Sequence, residues 1–294
     1  LVWIKDRSTT GSHALFDTTQ SNAYDVLRTD STAATYSGAS NMLTAFTSTG
    51  FTLGTDTTLG WVNLNSTNFV SWSFRKAEKF FDVVTYTGNG VAGRAVPHDL
   101  NGTVGFAVVK RLDAITNWEA QHVSVDLTAN KGLYLNTTAY LKTHNNVWNS
   151  THATSTNLIL GDHGQVNAVG GSYVAYLWAS DAGGFGEDED ENIIKCGSFT
   201  NSSSVFINCG FEPQWVLLKR TNGVESWLLF DTMRGIVTGG NDPFLQPNST
   251  AAASTGDDFI DVSATGFDVH GGLNGEYIYM AIRRPMKTPT AGTE

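Results

Sequence analysis

The sequence predicts an all-β fold made of tandem antiparallel β-sandwich repeats, lectin-like or jelly-roll-like in form. The first indication is the stretch 69–75, in which Val70, Trp72 and Phe74 alternate with small polar residues. The second is the frequency of Gly, Asn and Thr between such stretches, which is typical of turns joining short strands. The third is that no stretch shows sustained helical periodicity. Strands of this kind bury their alternating faces in small antiparallel sandwiches.

A short motif built around a lysine occurs three times and indicates an internal repeat. Its copies centre on Lys5, Lys110 and Lys219, each within an apolar strand pattern. The copy at 210–235 predicts a hairpin with strands at 214–220 and 226–232. Eight residues after the lysines come His13, Trp118 and Trp227, and twelve residues after them come Asp17, His122 and Asp231.

A second motif follows each lysine at a near-constant distance and supports the repeat. Its copies, 69–75, 173–179 and 277–283, each read as a half-buried strand. Two motifs in fixed order indicate a repeat of roughly a hundred residues, which is the size of a small domain. The residues predicted to fill the same buried position of these strands are Trp72, Tyr176 and Met280.

The repeat divides the chain into three units, which we call the first, second and third segments: 1–79, 80–186 and 187–294. The first segment is interpreted as N-terminally incomplete, because the sequence starts at Leu1 without Met and inside a strand pattern. The third segment ends in a linker that begins at Pro285. We therefore expect the chain to be a piece of a longer polypeptide.

Charge limits the class of partner. Only 16% of the residues are charged, and the formal net charge is -10. Nucleic acid and anionic membrane surfaces both require clustered Lys and Arg, so neither is an expected partner. No run of eighteen apolar residues exists, so membrane insertion is not expected. The abundant Ser, Thr, Asn and Gly are usual in extracellular or virion-borne β structure.

Motifs for catalysis and cofactor binding are absent from the sequence. It contains no GxSxG elbow, P-loop or HExxH, and we expect neither an enzyme nor a cofactor. Asp17 and Asp231 are interpreted as strand-end residues that accept turn N–H bonds, because a glycosidase would need a second carboxylate at a set distance. The repeated lysines are expected either to pair with carboxylates across the sheet or to protect sheet edges.

Two features leave alternatives open. The acidic run containing Glu187, Asp188 and Asp190 is interpreted as a solvated loop, and a calcium loop is the alternative. Cys196 and Cys209 flank a predicted turn at Ser202 and Ser203. They are interpreted as two buried apolar residues in adjacent strands, and a cross-strand disulfide is the alternative.

Several stretches resemble a repeat found in tail and other virion structural proteins of marine tailed bacteriophages. They are 81–97 (FDVVTYTGNGVAGRAVP), 173–185 (YVAYLWASDAGGF), 191–198 (ENIIKCGS), 210–220 (GFEPQWVLLKR) and 277–285 (YIYMAIRRP). The resemblance covers 80–293 and, more loosely, 1–79. The sequence departs from the family pattern in the loops 101–104 and 201–204. These motifs mark structural positions, so the resemblance implies a structural role and assigns no catalytic residue.

The resemblance implies a non-enzymatic virion protein: a fibre, spike or tail-associated appendage that contacts the host surface. Its expected partners are identical copies, with a trimer favoured, and other virion proteins, with a host-surface glycan as a further partner. The alternative is a lectin-like carbohydrate-binding module, and a polysaccharide depolymerase would require paired carboxylates in a groove. The aromatic residues expected at an exposed sugar-binding surface are Trp61, Trp118, Trp148 and Trp227.

Overall fold

The computed structural model describes residues 1–38, 40–128, 130–143 and 146–283, and nearly all regular elements in it are strands. The first segment contains β1 (Val2–Asp6), β2 (Ala14–Phe16), β3 (Leu27–Arg28), β4 (Leu43–Phe46), β5 (Phe51–Leu53) and β6 (Phe69–Ser73). The second contains β7 (Phe81–Thr87), β8 (Arg94–Pro97), β9 (Val104–Arg111), β10 (Glu119–His122), β11 (Lys131–Tyr134), β12 (Lys142–Thr143), β13 (Asn157–Leu160), the short helix α1 (Gly164–Asn167) and β14 (Ser172–Ala179). The third contains β15 (Ile194–Asn201), β16 (Val205–Asn208), β17 (Pro213–Arg220), β18 (Leu228–Asp231), β19 (Phe244–Leu245), β20 (Ile260–Ser263), β21 (Gly266–Val269) and β22 (Gly275–Arg283).

Each segment contributes one larger antiparallel sheet, which we call its main sheet. Their strand orders are β3-β2-β1-β6, β12-β11-β10-β9-β14-β7 and β15-β22-β17-β18-β19. The predicted all-β class with antiparallel sheets is confirmed. The tandem repeat and the segment boundaries remain predictions, and the predicted linker 285–293 lies outside the described residues.

The three lysine strands pair with their neighbours in matching register. Lys5 lies opposite Val70, Lys110 opposite Val174, and Lys219 opposite Ile278. The preceding apolar positions face one another in the same way, in the pairs Trp3–Trp72, Val108–Tyr176 and Leu217–Met280. Trp72, Tyr176 and Met280 are all buried. The period-2 pattern therefore positions these side chains on one face of each main sheet.

A shared core connects the main sheets. One continuous cluster of buried side chains draws on all three segments, and its members include Trp3, Phe74, Phe106, Trp178 and Trp215. Aromatic rings meet edge to face across segment boundaries, as Phe74 does with Trp178 and with Trp215. Burial of large aromatic side chains dominates core energetics, so the segments stabilise one another through this core.

Smaller sheets cover the opposite faces of the main sheets. They are β4-β5, β13-β8 and β16-β21-β20. In the third segment, Phe267 and Val269 of β21 pack with Val216 and Leu218 of β17 in a separate apolar cluster. In the first segment, a similar cluster joins Ile4 of β1 to the region of β4 and β5. These two-layer packings account for the sandwich character of the fold.

The expected edge role of the lysines is wrong. Each lysine strand is an interior strand of its sheet: β1 lies between β2 and β6, β9 between β10 and β14, and β17 between β18 and β22. All three lysine side chains are fully buried. A lysine there cannot protect an edge, because both sides of its strand are already paired.

Candidate functional site

The buried lysines connect the segments to one another. Within its own segment each ammonium group donates to a main-chain carbonyl oxygen: Lys5 to that of Asp6, Lys110 to that of Thr116 (2.7 Å) and Lys219 to that of Glu225. Each also donates to a carbonyl oxygen of another segment: Lys5 to Thr250 (3.3 Å), Lys110 to Thr32 (2.9 Å) and Lys219 to Thr138 (3.1 Å). The lysine hydrogen bonds to other segments run from the first segment to the third, from the second to the first and from the third to the second. These lysine contacts therefore form a closed cycle.

The acceptor carbonyls of other segments are also held by main-chain bonds. The N–H groups of Gly11, Thr116 and Glu225 donate to the same oxygens of Thr250, Thr32 and Thr138, at 2.9, 3.0 and 3.0 Å. Each junction thus combines a neutral and a charge-assisted hydrogen bond to one carbonyl. Charge-assisted bonds are the stronger kind, which makes these junctions well suited to fixing the segments against one another.

The other expectation was that each lysine pairs with a carboxylate across the sheet. In the structure each ammonium group instead donates to carbonyl oxygens. Burial lowers the pKa of Lys5, Lys110 and Lys219 to about 8, because the charged form loses its hydration. Nearby carboxylates, Asp6 beside Lys5 and Glu225 beside Lys219, act in the opposite direction on two of these pKa values. We infer that the lysines are structural donors.

Two tryptophans expected at a sugar-binding surface strengthen the same junctions from inside. Trp118 Nε1 donates to Arg28 O (2.9 Å) in the first segment, and Trp227 Nε1 donates to Tyr134 O (2.9 Å) in the second. The expectation that Trp118, Trp148 and Trp227 are exposed is wrong, since all three are buried. Of the four expected surface tryptophans, Trp61 is the one that is partly exposed.

The residues twelve positions after the lysines also reach across segments. Tyr176 O–H donates to Asp17 Oδ2 (2.6 Å), and Trp72 Nε1 donates to Asp231 Oδ2 (3.1 Å). The expected strand-end role is present too, because Asp17 Oδ1 accepts the N–H of Thr19 (2.8 Å). These carboxylates are therefore engaged in holding the main sheets together.

His122 occupies the corresponding position in the second segment. Its Nδ1 accepts the N–H of Ser124 (3.1 Å), so its Nε2 carries the proton and donates to Tyr279 O (3.0 Å). Burial lowers the pKa of His122 to about 4. A neutral imidazole is thus built into the junction between the second and third segments.

An open polar cleft lies between the first and second segments. It has a volume of about 510 Å³, and hydroxyl-bearing residues from 19–37 and from the strands β7 and β14 form much of its wall. Asp25 is buried there, and its Oδ1 has no hydrogen-bond partner among the described residues. The Oγ1 of Thr35 is likewise buried and unpartnered in that part of the chain. Buried polar groups normally have partners, and these two atoms lie beneath the cleft wall, where they are closed off from solvent.

Tyr86 and Tyr173 form the aromatic part of the cleft wall. Their rings stack with centroids 5.1 Å apart, and the guanidinium groups of Arg94 and Arg111 lie over their rings at 5.2 and 5.8 Å.

The sequence offered no signal for Asp25 or Thr35, because both lie in a stretch rich in Ser, Thr and Ala. The position of Asp25 and Thr35 beside Tyr86 and Tyr173 depends on contacts between distant parts of the chain.

The profile of a family described as "Domain of unknown function (DUF7483)" matches residues 1–285. The chain belongs to this family. No curated protein and no solved structure matches the chain. The DUF7483 match spans all three segments, so the lysine contacts and the cleft both lie within the matched residues.

In this DUF7483 chain, one side-chain cluster has a donor set suited to a divalent cation. Carboxylate oxygens of Asp258 and Asp261 and a ring nitrogen of His270 lie within 4.8 Å of one another. His270 Nε2 is 3.1 Å from Asp261 Oδ2 and 3.9 Å from Asp258 Oδ1. Among the described residues, the Nε2 of His270 is buried and makes no hydrogen bond.

The acidic run that suggested a calcium loop does not contribute to this cluster. Glu187, Asp188 and Asp190 are exposed, as the solvated-loop interpretation expects. The clustered acids come instead from Asp258, just before β20, and Asp261, within it, and the hairpin of β20 with β21 brings them beside His270. Among the described residues, no helix has the length and apolar character needed to cross a membrane.

The two cysteines of the DUF7483 chain are free and buried. The predicted turn at Ser202 and Ser203 is present, but β15 and β16 belong to different sheets. Cys196 therefore lies in the main sheet and Cys209 follows the smaller one. Burial raises the pKa of Cys209 to about 12 and that of Cys196 well above its ordinary value. The disulfide alternative is not borne out.

Proposed function

We propose that this chain is a non-enzymatic structural protein of a tailed-phage virion, displayed in a fibre, spike or tail-associated appendage that contacts the host surface. The observation that carries the proposal is the closed cycle of lysine contacts, through which each segment is fixed to both others. Such a body resists local opening, which suits a part exposed to mechanical load. The resemblance of 80–293 to repeats of phage virion proteins supports the same role.

Copies of the chain are proposed to act together in the particle. A weak contact per copy gains avidity when several copies engage one surface. A trimer is the proposed assembly, by analogy with phage fibres. Light scattering on the purified chain tests this proposal, and the expected mass is three times 31.7 kDa. A monomeric mass at every concentration, up to the local concentration of the chain in the particle, would contradict it.

Immunogold labelling of intact particles tests the proposed location. Antibody raised against the folded chain should label one defined place on phage particles that encode it, and antibody blocked with excess chain serves as the control. Particle preparations that contain the chain only in the soluble fraction, with no gold on the virion, would overturn the proposal.

The cleft favours a second candidate function, recognition of a neutral glycan. The many hydroxyl groups of its wall suit a ligand rich in hydroxyls. Hydroxyl groups of the ligand and of the wall can donate to and accept from one another.

A glycan array followed by calorimetry tests this second function. Thr85→Val is expected to lose about tenfold in affinity for any glycan that binds, because it removes an exposed hydroxyl from the cleft wall. Asp188→Asn, in the exposed acidic run, should leave affinity unchanged. Binding that both variants retain at full strength would exclude the cleft.

A further inference from the structure

The smaller sheet of the third segment carries acidic side chains and a histidine on its outer face. In the pairing of β20 with β21, Asp261 lies directly opposite Asp268. The neighbouring pair, Ile260 and Val269, is buried in the apolar cluster that packs against β17. Because side chains alternate between the two faces along a strand, Asp261, Asp268 and His270 share the face that points away from this cluster.

The surrounding sequence supplies no permanent positive charge to this face. Like charges directly opposite one another in an antiparallel pair repel. The sequence contains no Lys or Arg in 235–282, although Asp257, Asp258, Asp261 and Asp268 all lie there. In the described part of the chain, the basic side chain that approaches Asp258 and Asp261 is that of His270. The face therefore has an excess of negative charge, which favours a bound cation.

The ring of His270 meets these carboxylates without a hydrogen bond. Among the residues that the structure describes, its buried Nε2 has no hydrogen-bond partner, although Asp261 Oδ2 is 3.1 Å away. Since this distance alone permits a hydrogen bond, the oxygen must lie off the axis along which Nε2 bonds. Two neighbouring ligands of one metal ion have this relation, because each lies about 35–45° from the axis along which the other binds in tetrahedral or octahedral coordination.

The spacing of the three ligand atoms also fits a single ion. Bonds of about 2.1 Å from the metal to nitrogen and oxygen place neighbouring ligands roughly 3.0–3.4 Å apart and opposite ligands about 4.2 Å apart. His270 Nε2 is 3.1 Å from the Asp261 oxygen and 3.9 Å from the Asp258 oxygen. All three atoms lie within 4.8 Å of one another. Asp258 is exposed, so its side chain is free to rotate toward the other two.

Hydrogen bonds outside the cluster hold two of the three ligands in place. Asp261 Oδ1 accepts the N–H of Gly239 (2.8 Å), which leaves Oδ2 toward His270. The N–H of His270 donates to Phe259 O (2.9 Å), and its carbonyl oxygen accepts the side-chain amide of Asn201 (2.9 Å). Ligands that are already positioned lose little freedom on binding, which favours affinity.

We propose that Asp258, Asp261 and His270 bind one divalent first-row transition-metal ion, represented by Zn²⁺, with water in the remaining coordination positions. An imidazole nitrogen combined with carboxylate oxygens suits Zn²⁺ and its neighbours in the series. Ca²⁺ and Mg²⁺ prefer ligand sets made of oxygen alone, so the nitrogen of His270 selects against them.

The ion connects the hairpin of β20 and β21 to the stretch that meets the first segment. In that stretch Thr250 O accepts Lys5 Nζ, and the N–H of Ala253 donates to Arg7 O. Asp258 follows this stretch directly and is the ligand that the hairpin does not itself contain. Metal binding therefore braces the junction between the third and first segments, and it stabilises the folded chain by mass action.

Isothermal titration calorimetry of the full chain, freed of metal by a chelator, tests the site with Zn²⁺, Ca²⁺ and Mg²⁺. The expected result is one Zn²⁺ per chain, with Ca²⁺ and Mg²⁺ at least tenfold weaker. Zn²⁺ should also raise the melting temperature. Absence of Zn²⁺ binding up to about 1 mM, which is very weak binding, would overturn the proposal. Tighter binding of Ca²⁺ than of Zn²⁺ would also overturn it.

Matched variants locate the ion. His270→Gln and Asp261→Asn each remove one ligand and should weaken Zn²⁺ binding by at least about tenfold. The controls are His152→Gln, at a partly exposed loop position, and Asp188→Asn, in the exposed acidic run. Both controls should bind Zn²⁺ as the unchanged chain does. Full affinity in the two ligand variants, or an equal loss in the controls, would place the ion elsewhere and overturn the proposal.

X-ray absorption on the unchanged chain with one equivalent of Zn²⁺ gives a reading that does not depend on the folding of a variant. The expected spectrum shows one imidazole nitrogen together with oxygen ligands at about 2.0–2.2 Å. A sulfur ligand, or a shell with two or more imidazoles, would assign the ion to other side chains and contradict the proposed site. Circular dichroism checks that each variant used in the titrations is folded.

Discussion

The first and second main sheets use the same interior arrangement and differ at their edges. In both, a buried lysine on the central strand lies opposite a valine of the next strand, and its ammonium group binds carbonyl oxygens of two segments. The second sheet continues from β14 to β7, whereas the first stops at β6. The second sheet stacks Tyr86 on Tyr173, and the first leaves Phe69 partly exposed.

This difference separates two properties of the molecule. The interior arrangement occurs in every segment, so the contacts that join segments are the common framework of the fold. The edges differ, because the second sheet has a strand beyond β14 and the first has none beyond β6. Framework residues should therefore control stability in every segment, whereas the edges differ from one segment to another.

Truncation of Trp72 is the strongest test of the shared framework. Its ring meets Trp3 edge to face at 5.6 Å, and its Nε1 donates to Asp231 across segments. Trp72→Ala should lower the free energy of unfolding by roughly 3–5 kcal/mol, as for other buried large aromatics. Chemical denaturation measures this, with Trp72→Phe as a milder control. A loss below about 1 kcal/mol would show that the first sheet does not share the framework.

Acid should weaken the junction that contains His122. Its folded pKa, about 4, lies below the unfolded value of about 6.5. The unfolded state therefore binds more protons between these values, and the free energy of unfolding should fall by about 3 kcal/mol as the pH drops from 6.5 to 4. Denaturation at several pH values should show that His122→Gln, which has no ring to protonate, lacks this part of the pH dependence. Parallel pH profiles of the two proteins would contradict the assignment.

Removing one ammonium group should cost less than removing Trp72. Lys110→Ala leaves the carbonyl of Thr32 with its main-chain donor only, and it opens a small cavity. We expect a loss of about 2–3 kcal/mol in the free energy of unfolding. Lys142→Ala, at an exposed position of β12, is the control and should change stability by less than about 0.5 kcal/mol. Equal losses in the free energy of unfolding for the two variants would show that the lysine contacts do not contribute to the framework.

The cysteines should show the smallest effect. Burial raises the pKa of both thiols and keeps reagents away. A thiol reagent should label neither Cys196 nor Cys209 in the folded chain and should label both after denaturation. Reducing agent should leave the melting temperature unchanged. A mass lower by two hydrogens before reduction would reveal a disulfide and refute the free-thiol state.

Local sequence patterns were sufficient to predict the strands. They also predicted which face is buried in the strands that pair with the lysine strands. Alternation identified 69–75, and the predicted buried position holds Trp72, Tyr176 and Met280, all of which are buried. The same patterns misplaced Trp118, Trp148 and Trp227, because an aromatic outside a clear alternation gives no information about which segment will cover it. They also predicted the wrong position for the lysines, because a charged residue in an apolar strand indicates an edge strand unless its carbonyl partners are known.

The candidate sites depend on contacts between distant residues, which the sequence does not show. Asp25 lies in the cleft because 19–37 packs beside β7 and β14 of another segment. Asp258, Asp261 and His270 meet because a hairpin returns the chain on itself. The sequence likewise does not show that β6 is the last strand of its sheet, because strand order depends on pairing between distant parts of the chain.

Differential scanning calorimetry of the intact chain tests the central claim, that the three segments hold one another in a single framework. A shared core and the closed cycle of lysine contacts predict one transition whose calorimetric enthalpy equals its van't Hoff enthalpy. Lys110→Ala should shift that whole transition to lower temperature without splitting it. Two or three resolved transitions in the unchanged chain, or a Lys110→Ala profile in which only one part melts early, would show that the segments fold independently and would contradict the account.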